Sequence, residues 1–274
     1  MNLAEIIRRN EQADCVLVIF QLPRPAQTQT GKPFIEVPHG QIGTLHKRGI
    51  DSVLTWCASL NPNLDASAAR RAVTPYRLTF LWQMRSLGWE GCGVEPDPKS
   101  AAQAREAGLD VREGLLRQQA FPEVHFDAIT MNHVIEHLHD PMDTLRHCWK
   151  LLKPGGHITV ITPNFGSRGH ELFGPDWVAL DPPRHLVLFT DNSLRRVLES
   201  CGFAVARPAS PSLKAREHFK QSQVIRWGGL VAQNPRLPLT AKWQVEQQAA
   251  QADCATRTDS SCGEEVVWLG EKPV

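Results

Sequence analysis

Gly93-Val94-Glu95-Pro96-Asp97-Pro98 begins the most sharply patterned part of the chain, which runs from Trp89 to Asn164. A short strand, Cys92–Val94, leads into an acid, and Asp97-Pro98 supplies an N-cap followed by a first-turn proline. The helix continues to Ala107, with Gly108 in the C′ position. Asp110-Val111-Arg112 is a candidate third strand. Phe126–Met131 is a fourth, apolar enough to be buried on both faces as parallel strands usually are. Asp140-Pro141 repeats the cap-plus-proline start. The helix after it presents Met142, Leu145, Cys148, Leu151 and Leu152 on one face, and Gly155-Gly156 is expected to end it. His157–Thr162 reads as the fifth strand. This order places Glu95, Asn132 and His133 at the carboxyl ends of neighbouring parallel strands, where open α/β sheets bind ligands.

Downstream, Asn192–Cys201 reads as a helix stopped by Gly202, and Phe203–Ala206 as a sixth strand. Ser210–Ser261 is polar and fits one or two surface helices, after which Glu264–Leu269 returns to the sheet. Upstream, Phe80–Leu87 is a helix stopped at Gly88. Residues 1–75 are rich in Pro, Gln, Thr and Arg. There only Val16–Phe20 is strand-like, and Pro23–Gly49 reads as irregular. Strands alternating with helices of about ten residues define a doubly wound α/β sheet. The expected divisions are an irregular extension over 1–75, an α/β core over 76–209, and a helical insertion with a final strand over 210–274.

A chain of 274 residues with 42 % apolar residues holds an ample core. Lys plus Arg is 30 against 29 Asp plus Glu, a net charge of +1. With no basic run, nucleic acid is not the expected partner. No apolar run approaches the roughly 18 residues of a membrane span, so no membrane partner is expected. Cys15–Phe20 follows acidic and polar residues rather than a basic leader, and the expected location is the cytoplasm. The seven scattered cysteines form no C-x-x-C pair and suit reduced thiols.

An acid at the tip of the second strand, Glu95, can accept hydrogen bonds from both hydroxyls of a ribose. His133-Val134-Ile135-Glu136-His137 matches the H-x-x-E-H string of a zinc peptidase class. That chemistry needs both histidines on one continuous helix. Here a strand runs directly into His133 and a new helix starts at Asp140-Pro141, so the string lies in a strand-to-helix crossing and no metal is expected. Lys153-Pro154-Gly155-Gly156 reverses the chain into the fifth strand. Arg184-His185, in the loop Asp181-Pro182-Pro183, falls on the same side as Glu95 and His133. It reads equally as an acceptor-binding pair with a general base or as an ordinary loop salt bridge.

Four of these segments, in order, carry a resemblance. They are Gly93-Val94-Glu95-Pro96, Phe126-Asp127-Ala128-Ile129 with Glu136-His137-Leu138, Leu151-Leu152-Lys153-Pro154-Gly155-Gly156, and Pro182-Pro183-Arg184-His185-Leu186. Residues from about 80 to 206 resemble the class I S-adenosylmethionine-dependent methyltransferases, in particular their small-molecule and quinol-type branch. The resemblance implies a mostly parallel Rossmann-like sheet with an antiparallel last strand, and S-adenosylmethionine as cofactor. It also implies methyl transfer to a small-molecule oxygen, nitrogen or carbon acceptor. By it, Glu95 would hold the cofactor ribose, Gly114 and Leu115 would lie along the adenine, and Asn132 with His133 would line the methionine side. His137, Arg184 and His185 would face the acceptor.

One departure from the family pattern is plain. A strand ending in an acid and a G-x-G-x-G loop should precede Phe80, but Ala72-Val73-Thr74-Pro75-Tyr76-Arg77-Leu78-Thr79 has neither glycine nor acid. The glycines let backbone approach the cofactor where any Cβ would collide. Two explanations follow: a methyltransferase with weakened or lost cofactor binding, or a coding-frame disruption upstream of about residue 79. The alternative function is a non-catalytic, methyltransferase-like binding module.

Overall fold

A computed structural model describes residues 17–21 (backbone only), 81, 84, 89–206, 215–229, 231 and 237–274. The expected loops and short helix of residues 1–75, the segment 72–79 and most of Phe80–Leu87 lie outside these residues. Of that last helix, Leu81 and Met84 are described, both helical and buried.

One sheet of seven strands organises the described residues: β1 Leu17–Gln21, β2 Glu90–Glu95, β3 Val111–Glu113, β4 Phe126–Asn132, β5 Leu152–Pro163, β6 Ala204–Ala206 and β7 Glu265–Glu271. Their order across the sheet is β3-β2-β1-β4-β5-β7-β6. β3 pairs parallel with β2, and β5 with β4. β7 lies antiparallel between β5 and β6. Five strands therefore run one way, the Rossmann-like α/β arrangement with an antiparallel last strand. β1 was legible as a strand at Val16–Phe20, but its direction was not. It sits between β2 and β4 antiparallel to both, with Leu17 opposite Val94 and Met131.

The helices are α1 Pro98–Glu106, α2 Pro141–Leu151, α3 Arg168–Phe173, α4 Asp191–Ser200, α5 Ala215–Arg226 and α6 Leu239–Thr258. Asp97 caps α1 by accepting from the Ser100 N–H at 2.8 Å, and Asp140 caps α2 through the Asp143 N–H at 2.9 Å. Each is followed by a first-turn proline, whose missing N–H would have been unpaired there in any case. Gly108 and Gly202 take positive φ (+78° and +93°) at the helix ends where the sequence placed them. The pair Gly155-Gly156 does not end α2. The helix stops at Leu151, and β5 starts at Leu152 and runs through both glycines. The reason is a register shift against Phe126–Ala128, at which Gly155 has φ +74° and a Cβ on Gly156 would come 2.8 Å from the Lys153 carbonyl.

Leu145, Cys148 and Leu151 of α2 and Leu194 and Leu198 of α4 pack on Ile129, Met131, Ile158 and Val160. Each such burial is worth roughly 1.5–3 kcal/mol before entropy is charged against it. The C-terminal helices are not merely superficial. Phe219 of α5 and Val245 and Ala249 of α6 form a second cluster with Phe173 and Trp177, next to the carboxyl end of β5. Among the described residues, no helix is long and apolar enough to cross a membrane.

Candidate active site at the carboxyl edge of the sheet

The tips of β2, β3, β4 and β5 and the start of β7 share one edge. Glu95 closes β2, is 1 % exposed, and accepts the Asp97 N–H at 2.8 Å. Its carbonyl takes the Gly114 N–H at 2.9 Å, tying the β3 exit to the β2 exit. Gly114 needs to be glycine: φ is +108°, and a Cβ would meet Gln118 Oε1 at 2.6 Å. That oxygen instead accepts the Leu115 N–H at 2.7 Å, leaving the Leu115 side chain exposed on the rim.

β4 ends at half-buried Asn132. His133 then turns the chain with φ +52°, a left-handed conformation uncommon outside glycine, though less so for Asn, Asp and His. Its N–H donates to the Ile161 carbonyl at 2.9 Å. Both ring nitrogens are engaged, Nδ1 with Glu136 Oε1 at 3.1 Å and Nε2 with Glu265 Oε1 at 2.6 Å. Two hydrogen bonds across three ionisable groups require two shared protons, so the trio carries a net charge of −1. Glu136 is 1 % exposed, and its Oε2 accepts from Thr162 Oγ1 at 2.9 Å. Burial pushes its carboxyl up, but the His133 hydrogen bond and charge outweigh burial and hold it below the usual carboxylate range.

The H-x-x-E-H string thus occupies a strand end and the 3-10 turn Ile135–His137, as its flanks imply, and not one continuous helix. His137 faces a different partner from His133. Its Nδ1 contacts the Arg184 carbonyl at 3.0 Å, and its ring lies 4.8 Å from that of His185, centroid to centroid, edge to face. His185 Nδ1 contacts the Ala179 carbonyl at 2.7 Å. A carbonyl can only accept, so each Nδ1 carries a hydrogen, and a neutral ring then has its lone pair on Nε2, which in His185 lies 4.0 Å from Asp181 Oδ2. Burial depresses the basicity of the His185 ring. Arg184 forms a salt bridge with Asp181 at 2.5 Å, the ordinary loop role weighed for it, while its carbonyl fixes His137. The Pro182–Pro183 peptide between them is cis.

One ligand atom each from Glu136, His137 and His185 lies within 4.8 Å of the others, so these three are the described residues able to share a metal ion. Glu95, Gly114 and Leu115 stand together on the β2–β3 side, and Asn132, His133, His137 and His185 on the β4–β5 side. Sequence reading missed Thr162, Glu264 and Glu265. Glu264 is 1 % exposed and accepts the Gly169 N–H at 2.7 Å and the Trp177 indole N–H at 3.1 Å. Glu-Glu ahead of an apolar run looks like the solvated start of a strand, because acids are rarely buried.

A family model described as "Methyltransferase domain" matches residues 76–207. A probable S-adenosylmethionine-dependent methyltransferase of Mycolicibacterium smegmatis is 31 % identical over 115 residues, 41 % of this chain and 43 % of that protein. A ubiquinone biosynthesis O-methyltransferase of Caulobacter vibrioides is 40 % identical over 91 residues, 30 % of this chain and 35 % of that one. The chain spans less than half the length of these curated relatives. Among solved structures, a SAM-dependent methyltransferase from Archaeoglobus fulgidus aligns at 16 % identity and a TM-score of 0.45, over 70 % of this chain and 80 % of that one. Over residues 76–207 the chain therefore resembles the S-adenosylmethionine-dependent methyltransferases, the family whose cofactor is S-adenosylmethionine.

Proposed function

We propose that the chain transfers a methyl group to a small-molecule acceptor held beside His137 and His185. The observation that carries this reading is the pair of adjoining imidazoles at the ligand edge of the sheet, each with its Nδ1 hydrogen held by a backbone carbonyl so that the neutral form of the ring presents its lone pair on Nε2. The residues on the β2–β3 side suit the cofactor. Glu95 offers a buried carboxylate for a ribose, Gly114 an exit without a side chain, and Leu115 an exposed apolar surface for adenine. Asn132 borders the same edge. The cofactor, when bound, supplies a methyl group on a sulfonium centre.

What the chain itself must do is modest. It orients the acceptor against that methyl group, which can supply several kcal/mol of the barrier reduction. It also takes one proton where the acceptor atom is a hydroxyl or ammonium. His185 is suited to the second task because it is neutral near pH 7 and its Nε2 can accept. Arg184, engaged with Asp181, serves by presenting its carbonyl to His137.

A second reading, a binding module without turnover, is favoured by one observation. β1 runs opposite to its neighbours, so the centre of the ligand edge receives the amino end of a strand. The family's glycine loop leaves a carboxyl end there, and the sequence before Phe80 lacks those glycines. Calorimetric titration with S-adenosylmethionine and S-adenosylhomocysteine separates the two. Micromolar dissociation supports methyl transfer. No heat at millimolar ligand, which is binding weaker than about 4 kcal/mol, leaves only the module.

A further inference from the structure

The start of β7 is pinned to the end of β5: Glu265 pairs with Pro163, the Asn164 N–H donates to the Glu264 carbonyl at 2.9 Å, and Asn164 Nδ2 donates to the Gly263 carbonyl at 2.7 Å. From that fixed point two consecutive carboxylates take separate partners. Glu265 holds His133 Nε2 at 2.6 Å, His133 holds Glu136, and the Glu136 carbonyl accepts the N–H groups of Leu186 at 2.8 Å and Val187 at 3.2 Å. This limb fixes the backbone on both sides of the histidine pair, His137 directly after Glu136 and His185 directly before Leu186.

Glu264 holds the other limb. It accepts from the Gly169 N–H and the Trp177 indole, and His218 Nδ1 of α5 lies 3.5 Å from it. Two residues beyond Trp177, the Ala179 carbonyl holds His185 Nδ1. Between them, the Val178 N–H donates to Ser222 Oγ of α5 at 2.9 Å. A Cβ on Gly169 would overlap the Glu264 carboxylate, so the close approach needs glycine there.

We propose that Glu264 and Glu265 are paired positioning residues, one for each limb of the acceptor site, and that together they set the His185 ring against His137. This rests on the acceptor-site reading above. A buried carboxylate with both oxygens directed at donors, as in Glu264, specifies one arrangement of those donors, because the alternatives strand a charge. Glutamine is the informative replacement at 264. It keeps the volume, but its amide group turns a donor towards either the Gly169 N–H or the Trp177 N–H, so it satisfies only one of them.

The test is long-range proton–nitrogen NMR of the full chain with its histidines labelled with nitrogen-15, which reads the tautomer of each ring without acceptor or cofactor. Glu264→Gln is expected to abolish the single Nδ1–H signature of His185 and to leave His133 unchanged. Glu265→Gln is expected to shift His133 and His137 and to leave the His185–Ala179 tautomer in place. Folded variants in which His137 and His185 both keep their wild-type signals would overturn the proposal. So would identical changes at all three rings in both variants, the mark of general loosening. Where Glu264→Gln does not fold, Trp177→Phe removes the indole donor along with part of the buried ring and must produce the same His185 change. Trp177→Tyr or Ser222→Ala, which do not strand Glu264 in the same way, must leave His133 unchanged. Titration of the wild-type chain with S-adenosylhomocysteine runs beside this: absence of binding removes the methyl-transfer reading and leaves the ring geometry to be judged on the spectra.

Discussion

In the proposed reaction the chemistry converges on His185, and its environment makes two demands testable. Burial lowers its pKa below 6.5, so a base role requires activity that is full near neutrality and falls on the acid side as pH drops through that lowered value. With any acceptor the wild-type chain methylates, His185→Ala is expected to cost about 10²–10⁴ in kcat with little change in the Km for S-adenosylmethionine. An unchanged kcat would remove it from the mechanism. On the opposite side, Glu95→Ala is expected to weaken S-adenosylhomocysteine binding at least tenfold by calorimetry, with the fold retained by circular dichroism. The two substitutions report on different halves of the site, so one result does not substitute for the other. His133 teaches a further point about legibility. The sequence placed it at a strand tip, where it stands, and the ring there bridges two acids, 3 and 132 residues away along the chain. The nearer partner was in view, whereas nothing local announced the farther one.

Elements were legible wherever their signals are local. The Asp-Pro starts of α1 and α2, the glycine ends of α1 and α4, and the strands at Val94, Phe126 and Val205 all follow from residues within four positions of one another. The end of α2 was misjudged because the Gly155-Gly156 pair answers a tertiary need. β5 accommodates a register shift against β4, and helix-end chemistry reads the same in sequence. Gly270 in β7 is a similar case. It carries no turn, but a Cβ there would come 2.9 Å from Ile158 Cγ2 and 3.0 Å from the Phe203 side chain. Gly270→Ala is therefore expected to destabilise the chain by about 1–3 kcal/mol, read as a lowered urea midpoint at constant slope. A neutral result would mean that β5 and β6 part without strain to admit a methyl group.

At the scale of the whole molecule, acid should act in two stages. His157 and His185 have folded pKa values pushed below 6.5 by burial, so stability begins to fall as pH drops through 6.5, where the unfolded chain gains protons first. Glu136 is held below 4.5 through His133, so its contribution is present above that pH and is lost as pH falls through its folded value. Urea midpoints at intervals from pH 8 to 4 should decline in that order, and a flat profile above pH 5 would contradict the buried-histidine stage. The direction of β1 asks a question of the gene rather than of the protein. If the segment before codon 79 is frame-disrupted, another reading frame there encodes a strand, an acid and a G-x-G-x-G loop. If that frame is empty, the antiparallel strand is native to this chain.

The bond from His133 to Glu265 also has a consequence in time. A ribosome releases the β4 turn well over a hundred residues before it releases β7, so the growing chain carries His133 and Glu136 without their second acid through nearly half of synthesis. Domains generally fold as they emerge, amino-terminal parts first. Here the nascent α/β core can collapse early, but on the positioning role proposed for Glu264 and Glu265 its histidine pair stays unaligned until the returning strand β7 docks between β5 and β6. A polypeptide stalled or clipped before residue 264 then lacks both acids that the proposal assigns to aligning His137 and His185.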